Sequence, residues 1–118
     1  MNQSLPIYLQ ISQYIEDEIL NHQLQAHDKV PSTNEFSKIM KINPATAGKG
    51  LNELVDSGIL YKKRGLGMFV TEEAESIIIE QRRRTFKKYT LPALIRDAAL
   101  LKLSKEELIE LIRGEFHD

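Results

Sequence analysis

The sequence contains no cysteine among its 118 residues. This absence excludes disulfide bonds, thiolate metal ligands and a cysteine nucleophile. The first residues lack the basic start and apolar run of a signal peptide, and no apolar stretch approaches the length needed to span a bilayer. We therefore expect a cytoplasmic protein without a membrane partner.

The usual sequence signals of catalysis are also absent. His22, His27 and His117 do not have the spacing of metal ligands. There is no nucleophile elbow or Walker motif, and the glycines at positions 65 and 67 lack the third glycine and the strand-to-helix context of a phosphate loop. We expect no enzymatic activity, no metal site and no cofactor.

Charge is distributed unevenly, although the net charge is only −1. The segment from Lys38 to Arg64 contains six basic residues, and only Glu53 and Asp56 oppose them there. Such a cluster is typical of a surface that contacts nucleic acid. A mixed, merely solvated surface is the alternative interpretation.

The most informative stretch runs from Asn43 to Gly58. Asn43 and Pro44 are typical of a helix N-cap and first helical position, and Gly58 is typical of a helix end. One face of this helix is apolar, whereas the other is small, hydrogen-bonding or basic, as a helix that enters the major groove requires. The apolar face comprises Ala47, Leu51, Leu54 and Val55, and the other face comprises Ala45, Thr46, Gly48, Lys49 and Asn52.

Two further helices are predicted before this one. Pro6–Leu20 has an isoleucine at every fourth position from Ile7 to Ile19, followed by a polar connector, residues 21–29, of uncertain form. Ser32 and Glu35 form a capping box that opens a short helix with Phe36, Ile39 and Met40 on its apolar face. A turn over residues 41–43 then predicts a helix-turn-helix unit, although a purely structural helical hairpin is the alternative.

A β-hairpin is predicted after Gly58. Residues 59–64 and 68–71 are β-prone and flank a glycine-containing turn, and the first of them ends in three basic residues. A hairpin in this place is the wing of a winged-helix domain, or alternatively a hairpin that only closes the core. In both cases four residues should pack inward: Ile59, Leu60, Phe69 and Val70.

Five short motifs follow one another along the chain: Leu-Pro-Ile-Tyr-Leu-Gln-Ile from Leu5, Val-Pro-Ser from Val30, Ile-Asn-Pro-Ala-Thr-Ala from Ile42, Leu-Val-Asp-Ser-Gly-Ile-Leu from Leu54 and Arg-Gly-Leu-Gly-Met-Phe-Val from Arg64. Motifs in this order resemble the GntR family of bacterial transcription regulators, and the short C-terminal remainder resembles its YtrA-like branch. The resemblance implies an α+β fold: a winged helix-turn-helix domain at residues 1–71, with three helices and a two-stranded wing, and a small helical dimerisation segment at residues 72–118. It also implies a homodimer bound to an inverted-repeat operator in double-stranded DNA.

Four positions depart from the family pattern or from ordinary helix composition. The family commonly has arginine where this chain has Asn34, and the wing arginine is replaced by Leu66, so that Arg64 could take its place. Gly48 and Gly50 lie inside the predicted reading helix, and each costs about 1 kcal/mol of helix propensity relative to alanine. They could loosen the helix until it docks or let the backbone approach DNA, but a packing reason for Gly50 is at least as plausible.

The predicted DNA contacts fall into three groups. Lys49, Thr46 and Asn43 would act at the reading helix, with Lys49 directed toward guanine or phosphate, while Ser32 and Asn34 would hold the DNA backbone and the basic wing would reach the minor groove. The full predicted set is Ser32, Thr33, Asn34, Asn43, Ala45, Thr46, Lys49, Lys62, Lys63, Arg64, Gly65 and Gly67.

The C-terminal part is predicted to dimerise. Its basic run, Arg82–Arg84, could be a solvated face or a phosphate contact, and Pro92 either begins a helix or kinks one. Ser104 and Glu107 form a second capping box, which opens a last helix ending at Gly114. Fewer than fifty residues cannot bury these apolar stripes alone. The predicted dimer interface comprises Ile79, Phe86, Leu91, Leu94, Ile95, Ala98, Leu101, Leu108, Leu111 and Ile112.

The sequence thus favours a sequence-specific DNA-binding transcription regulator, and a repressor rather than an activator. The alternative is a winged-helix protein-interaction module, which a steep loss of affinity with salt would exclude. The C-terminal segment is too small for an enclosed pocket of about 300 Å³. An unknown small-molecule effector could still bind between subunits.

Overall fold

The computed structural model describes residues 5–117, and most of their regular structure is helical. Residues up to Glu80 form one compact unit, and those from Gln81 onward form a second. The elements are α1 (Ile7–Leu20), α2 (Thr33–Met40), α3 (Pro44–Asp56), β1 (Leu60–Lys63), β2 (Gly67–Val70), α4 (Ala74–Thr85), a π-helical turn (Phe86–Thr90), α5 (Leu91–Leu100) and α6 (Lys105–Glu115).

The ends of α3 lie where the sequence places them. The Asn43 side chain accepts a hydrogen bond of 2.8 Å from the Ala45 N–H, and Pro44 occupies the first turn. At the other end, Gly58 has a φ of 82°, and the Ile59 N–H donates to the Leu54 carbonyl. This is the six-to-one bond of a Schellman motif, which satisfies a carbonyl that the helix leaves without a partner.

The core of the first unit lies between α1, α3 and the hairpin. Leu51 and Leu54 of α3 are fully buried against the isoleucines of α1, and α4 adds Ala74 and Ile78. Each of the buried leucine and isoleucine side chains stabilises the fold by about 1.5–3 kcal/mol through burial. This packing fixes α3 with its opposite face outward.

Two apolar residues that the four- and three-residue spacing predicts to be buried are exposed. Ile7 is 55% exposed and Ile39 is 68% exposed. Ile7 is the first residue of α1, and α2 has only eight residues and buries Phe36 and Ser37 instead. The spacing of apolar residues predicts which face of a helix packs inward, but it does not predict how much of that face the neighbouring elements cover.

The hairpin is antiparallel, and its register pairs Leu60 with Val70 and Lys63 with Gly67. The preceding connector adds to it, since Lys29 forms a bridge with Phe69 and the Val30 N–H donates to the Met68 carbonyl. The end of the connector therefore lies along the second edge of β2. Its polar sequence contains no β-prone run, and so the sequence gives no sign of this pairing.

The second unit contains little buried surface. Among residues 81–117, only Ala98 is buried. The Leu91 N–H donates to the Phe86 carbonyl five residues earlier, just before Pro92. Because proline clashes with the carbonyl four residues before it, a wider π turn accommodates it without ending the helix. Pro92 therefore lies in a continuing helix, and Gly114 lies inside α6 and does not end it.

None of the helices in residues 5–117 is both long enough and apolar enough to cross a bilayer.

Candidate nucleic-acid interface

The outward face of α3 carries a stripe of small and polar side chains. Ala45, Lys49, Asn52 and Asp56 recur at four- and three-residue spacing, and all four are exposed. Thr46 is half-buried. Lys49 is the only basic residue of this helix. It therefore supplies the positive charge of the α3 surface.

The N-terminus of α2 is closed by its own capping box. The Ser32 hydroxyl accepts from the Glu35 N–H at 3.1 Å, and the Ser32 N–H donates to Oε1 of Glu35, also at 3.1 Å. The predicted role of Ser32 as a cap is confirmed. The next two backbone N–H groups, those of Thr33 and Asn34, have no acceptor within a helix and point toward its N-terminal end.

The capping box lowers the pKa of Glu35 below its ordinary value of 4.5. The backbone N–H of Ser32 is the main cause, followed by the Ser32 side chain, and the charge of Lys29 adds to them. A lowered pKa means that the carboxylate stabilises the fold above about pH 4.5 and that this contribution disappears as the pH falls through the lowered value.

We expect Glu35→Gln to lower the melting temperature at pH 7 and to lower it less at pH 3, because protonation of the carboxylate as the pH falls weakens the interaction that glutamine lacks. Thermal unfolding followed by circular dichroism at the two pH values tests this. Glu53→Gln, on the exposed side of α3, is the control for loss of a carboxylate elsewhere. An equal effect of Glu35→Gln at both pH values would contradict the expectation.

Gly50 is required by packing. A Cβ built at this position would lie 2.6 Å from the Tyr8 carbonyl oxygen and 3.1 Å from Cβ of Ile11. A Cβ at Gly48 would lie 3.5 Å from Cγ2 of Thr33, which is an ordinary contact. α1 therefore crosses α3 at Gly50, whereas the space beside Gly48 admits a methyl group.

The wing divides its basic residues between two faces. Because side chains alternate along a strand, Lys62 lies on the same face as the buried Leu60, and Lys63 lies on the other. Nζ of Lys63 is 5.3 Å from the centroid of the Phe69 ring. The two lysines that are adjacent in the sequence thus point in opposite directions.

The tip of the wing is a tight turn. The Leu66 N–H donates to the Lys63 carbonyl at 2.9 Å, and Gly65, between them, has a φ of 78°. Gly67 has a φ of 125°, and Cε of Lys29 would lie 2.9 Å from a Cβ at that position. The sequence did not indicate that Lys29 lies at the wing, because they are far apart along the chain.

A polar cluster holds the base of the wing. Nδ1 of His27 lies 2.8 Å from the Tyr61 hydroxyl, and Nε2 lies 3.0 Å from Oε1 of Glu72. These contacts bring together the connector, β1 and the chain leaving β2. Across residues 5–117, no three His, Asp or Glu side chains are grouped in a way that could hold a metal ion.

Two buried serines also position α3, and sequence reasoning missed both. The Ser12 hydroxyl lies 2.8 Å from the Gly50 carbonyl and so links α1 to α3. The Ser37 hydroxyl donates to the Ile42 carbonyl in the turn between α2 and α3. The sequence pattern assigns these serines to polar helix positions and does not indicate that their hydroxyls bond to the backbone of another element.

In the second unit, α5 and α6 leave an open apolar groove of about 470 Å³, whose lining includes Ile95, Leu108 and Ile112. Leu101 is 72% exposed, whereas Ala98 is buried. The other apolar residues predicted for the dimer interface are mostly exposed: Ile79, Phe86, Leu91, Leu94 and Leu111.

Comparison with known proteins supports one family. The family model for bacterial regulatory proteins of the gntR family matches residues 7–70. The HTH-type transcriptional repressor YtrA of Bacillus subtilis is 36% identical over 110 residues, which are 93% of this chain and 84% of YtrA.

Solved structures give the same result. A GntR family transcriptional regulator from Listeria monocytogenes has a TM-score of 0.74 and 31% identity, with 98% of this chain and 100% of that one covered. The DNA-binding domain of AraR, solved in complex with operator ORX1, has a TM-score of 0.55 and 31% identity, with 57% of this chain and 81% of that one covered. The predicted winged-helix fold is confirmed, and the chain belongs to the GntR family of bacterial regulatory proteins as a YtrA-like transcription regulator, not an enzyme.

Proposed function

We propose that this regulator is a repressor that binds an inverted-repeat operator as a homodimer in the bacterial cytoplasm, with α3 in the major groove. The observation that carries this proposal is the outward stripe of α3, which is exposed, narrow and basic at Lys49. Ala45 and Asn52 beside it are small enough to let the helix approach base edges. The AraR complex, in which a related domain binds an operator, supports the same use of the fold.

Lys49 is the proposed base contact. A lysine ammonium donates to guanine O6 or N7, or to a phosphate, and each good base contact contributes about 1–3 kcal/mol of discrimination. Thr46 and Asn43 lie at the N-terminal end of the same helix, where a reading helix enters the groove. The Asn43 oxygen is used in the cap, which leaves its amide N–H groups to donate.

The N-terminus of α2 and the wing are proposed to hold the DNA backbone. The first N–H groups of α2, at Thr33 and Asn34, are suited to a phosphate, although Asn34 contributes no full charge. Lys62, Lys63 and Arg64 would place the wing at the minor groove, and Gly65 and Gly67 keep its tip narrow. Backbone contacts of this kind fix orientation and carry no direct sequence information.

Dimerisation is proposed to occur through the second unit, within the segment that we assign to residues 72–118. A unit with only one buried residue among residues 81–117 buries too little apolar surface to be stable alone. A second copy would cover its exposed leucines and isoleucines. A twofold dimer would present two reading helices to two symmetric half-sites. A small-molecule effector would bind between the subunits of this dimer.

The proposal is tested by selecting bound duplexes from random DNA and measuring affinity for the recovered sequence at 50 and 200 mM salt. We expect an inverted repeat, with affinity falling by orders of magnitude at the higher salt because bound phosphates release counterions. Lys49→Ala should weaken binding by about 1–3 kcal/mol and relax base preference at one position of each half-site.

Lys102→Asn, in the loop between α5 and α6 and outside the lining of the apolar groove, is the control for removing one lysine and should leave affinity almost unchanged; asparagine tolerates the positive φ of 58° at this position. No enriched sequence and no salt dependence would favour the protein-interaction module instead. An unchanged preference with Lys49→Ala would overturn the docking of α3 as proposed.

A further inference from the structure

Lys49 makes an intramolecular contact that its proposed role in DNA binding does not require. Its Nζ lies 4.0 Å from the centroid of the Tyr8 ring, above the aromatic face. This is a cation–π geometry, since the ammonium lies well within the 6 Å at which the ring attracts a cation. Tyr8 is in the first turn of α1 and is half-buried.

The backbone of Tyr8 packs closely against α3. The Tyr8 carbonyl lies directly against Gly50, at the closest approach of α1 to α3. Ser12, one turn further along α1, has its hydroxyl 3.2 Å from the Tyr8 carbonyl and 2.8 Å from the Gly50 carbonyl. The backbone of Tyr8 is therefore held against α3 at Gly50, the residue that follows Lys49.

A lysine on a reading helix usually loses freedom when it binds. Its four-carbon side chain has many rotamers, and fixing it at one base or phosphate costs conformational entropy. The Tyr8 ring restricts those rotamers before DNA arrives and directs the ammonium along one edge of α3. This restriction matters most here because Lys49 is the only basic residue on that helix.

We propose that Tyr8 is a positioning residue that orients the Lys49 ammonium for DNA and thereby contributes to the base preference of the protein. This inference rests on the proposed function, in which Lys49 contacts the operator. Tyr8 acts through Lys49 and does not itself contact DNA.

The test is a double-mutant cycle on operator affinity with Tyr8→Leu, Lys49→Met and the double variant, measured on the duplex recovered by selection. We expect Tyr8→Leu to weaken specific binding by about two- to tenfold, the factor that corresponds to ordering one flexible side chain on binding. In the Lys49→Met background the same substitution should have no further effect. Tyr8→Phe, which keeps the ring, should bind like the wild type.

A second readout is independent of DNA. The ε-methylene protons of Lys49 should be shifted upfield by the Tyr8 ring current in the free protein, and this shift should vanish in Tyr8→Leu. If the Tyr8→Leu variant does not fold, Tyr8→Met is measured in its place in both experiments, because methionine is also long and favours a helix.

Three outcomes would overturn the inference. Equal losses from Tyr8→Leu in both backgrounds would mean that Tyr8 acts without Lys49. Tighter binding by Tyr8→Leu would mean that the ring withholds Lys49 from DNA. An absent ring-current shift would mean that the contact is not populated. By contrast, normal binding by Lys49→Met would overturn the proposed docking of α3 itself.

Discussion

Gly50→Ala is expected to lower the free energy of unfolding by up to about 2 kcal/mol, although alanine is the better helix former. The new Cβ would lie 2.6 Å from the Tyr8 carbonyl oxygen, a backbone atom that moves only if α1 moves. Overpacking of this kind costs about 1–3 kcal/mol, which exceeds the gain of about 1 kcal/mol in helix propensity. Urea unfolding followed by circular dichroism measures the difference.

Gly48→Ala is the matched variant, two residues along the same helix. Its Cβ would meet Thr33 at 3.5 Å, an ordinary contact, and we expect this substitution to stabilise the protein by up to about 1 kcal/mol. Opposite signs at the two positions would establish that Gly50 serves packing. Stabilisation by both substitutions would instead support a reading helix loosened by its glycines.

Ile95→Asp is expected to convert the proposed dimer to a monomer. Ile95 lines the apolar groove of the second unit and is 52% exposed, so that an aspartate there can be solvated in a single chain. In a twofold interface the carboxylate would be buried twice, once in each subunit. Replacement of a central interface residue costs about 2 kcal/mol or more of binding free energy per copy. The dimer association constant should therefore fall by about a thousandfold, which sedimentation equilibrium can measure.

Arg96→Asp, on the neighbouring position of α5, is the control for an added carboxylate and should remain dimeric.

The same two variants can be compared for their affinity for DNA. Ile95→Asp should lose the advantage of a full inverted repeat over a single half-site, whereas Arg96→Asp should keep it. A dimeric Ile95→Asp would place the interface elsewhere on the chain.

Local chemistry explains which parts of the fold were predictable. The Asn43 cap, the Ser32–Glu35 and Ser104–Glu107 capping boxes and the stop at Gly58 each depend on residues within a few positions of one another. The side chain and the backbone group that it satisfies are then both visible in the sequence. The helix-turn-helix order and the hairpin were predicted for the same reason.

Contacts between distant segments were not predictable in this way. The pairing of Lys29 with Phe69 and the approach of α1 to Gly50 depend on how whole elements pack. The sequence showed two glycines in one helix and could not tell which of them faced a neighbour. For the interface, it identified exposed basic and small residues but not that Lys62 and Lys63 face apart or that Tyr8 lies under Lys49.

The pairing of residues 28–30 with β2 has a consequence for the behaviour of the protein in concentrated solution. With one side of β2 occupied by β1 and the other by the connector, β1 provides the free edge of the wing within residues 5–117. Free edges invite strand addition by other molecules, and lysines on a short edge strand oppose it. We therefore expect Lys62 and Lys63 to oppose aggregation through this edge, and glutamine, which keeps the edge polar, is a safer replacement than alanine when their proposed contacts with DNA are tested.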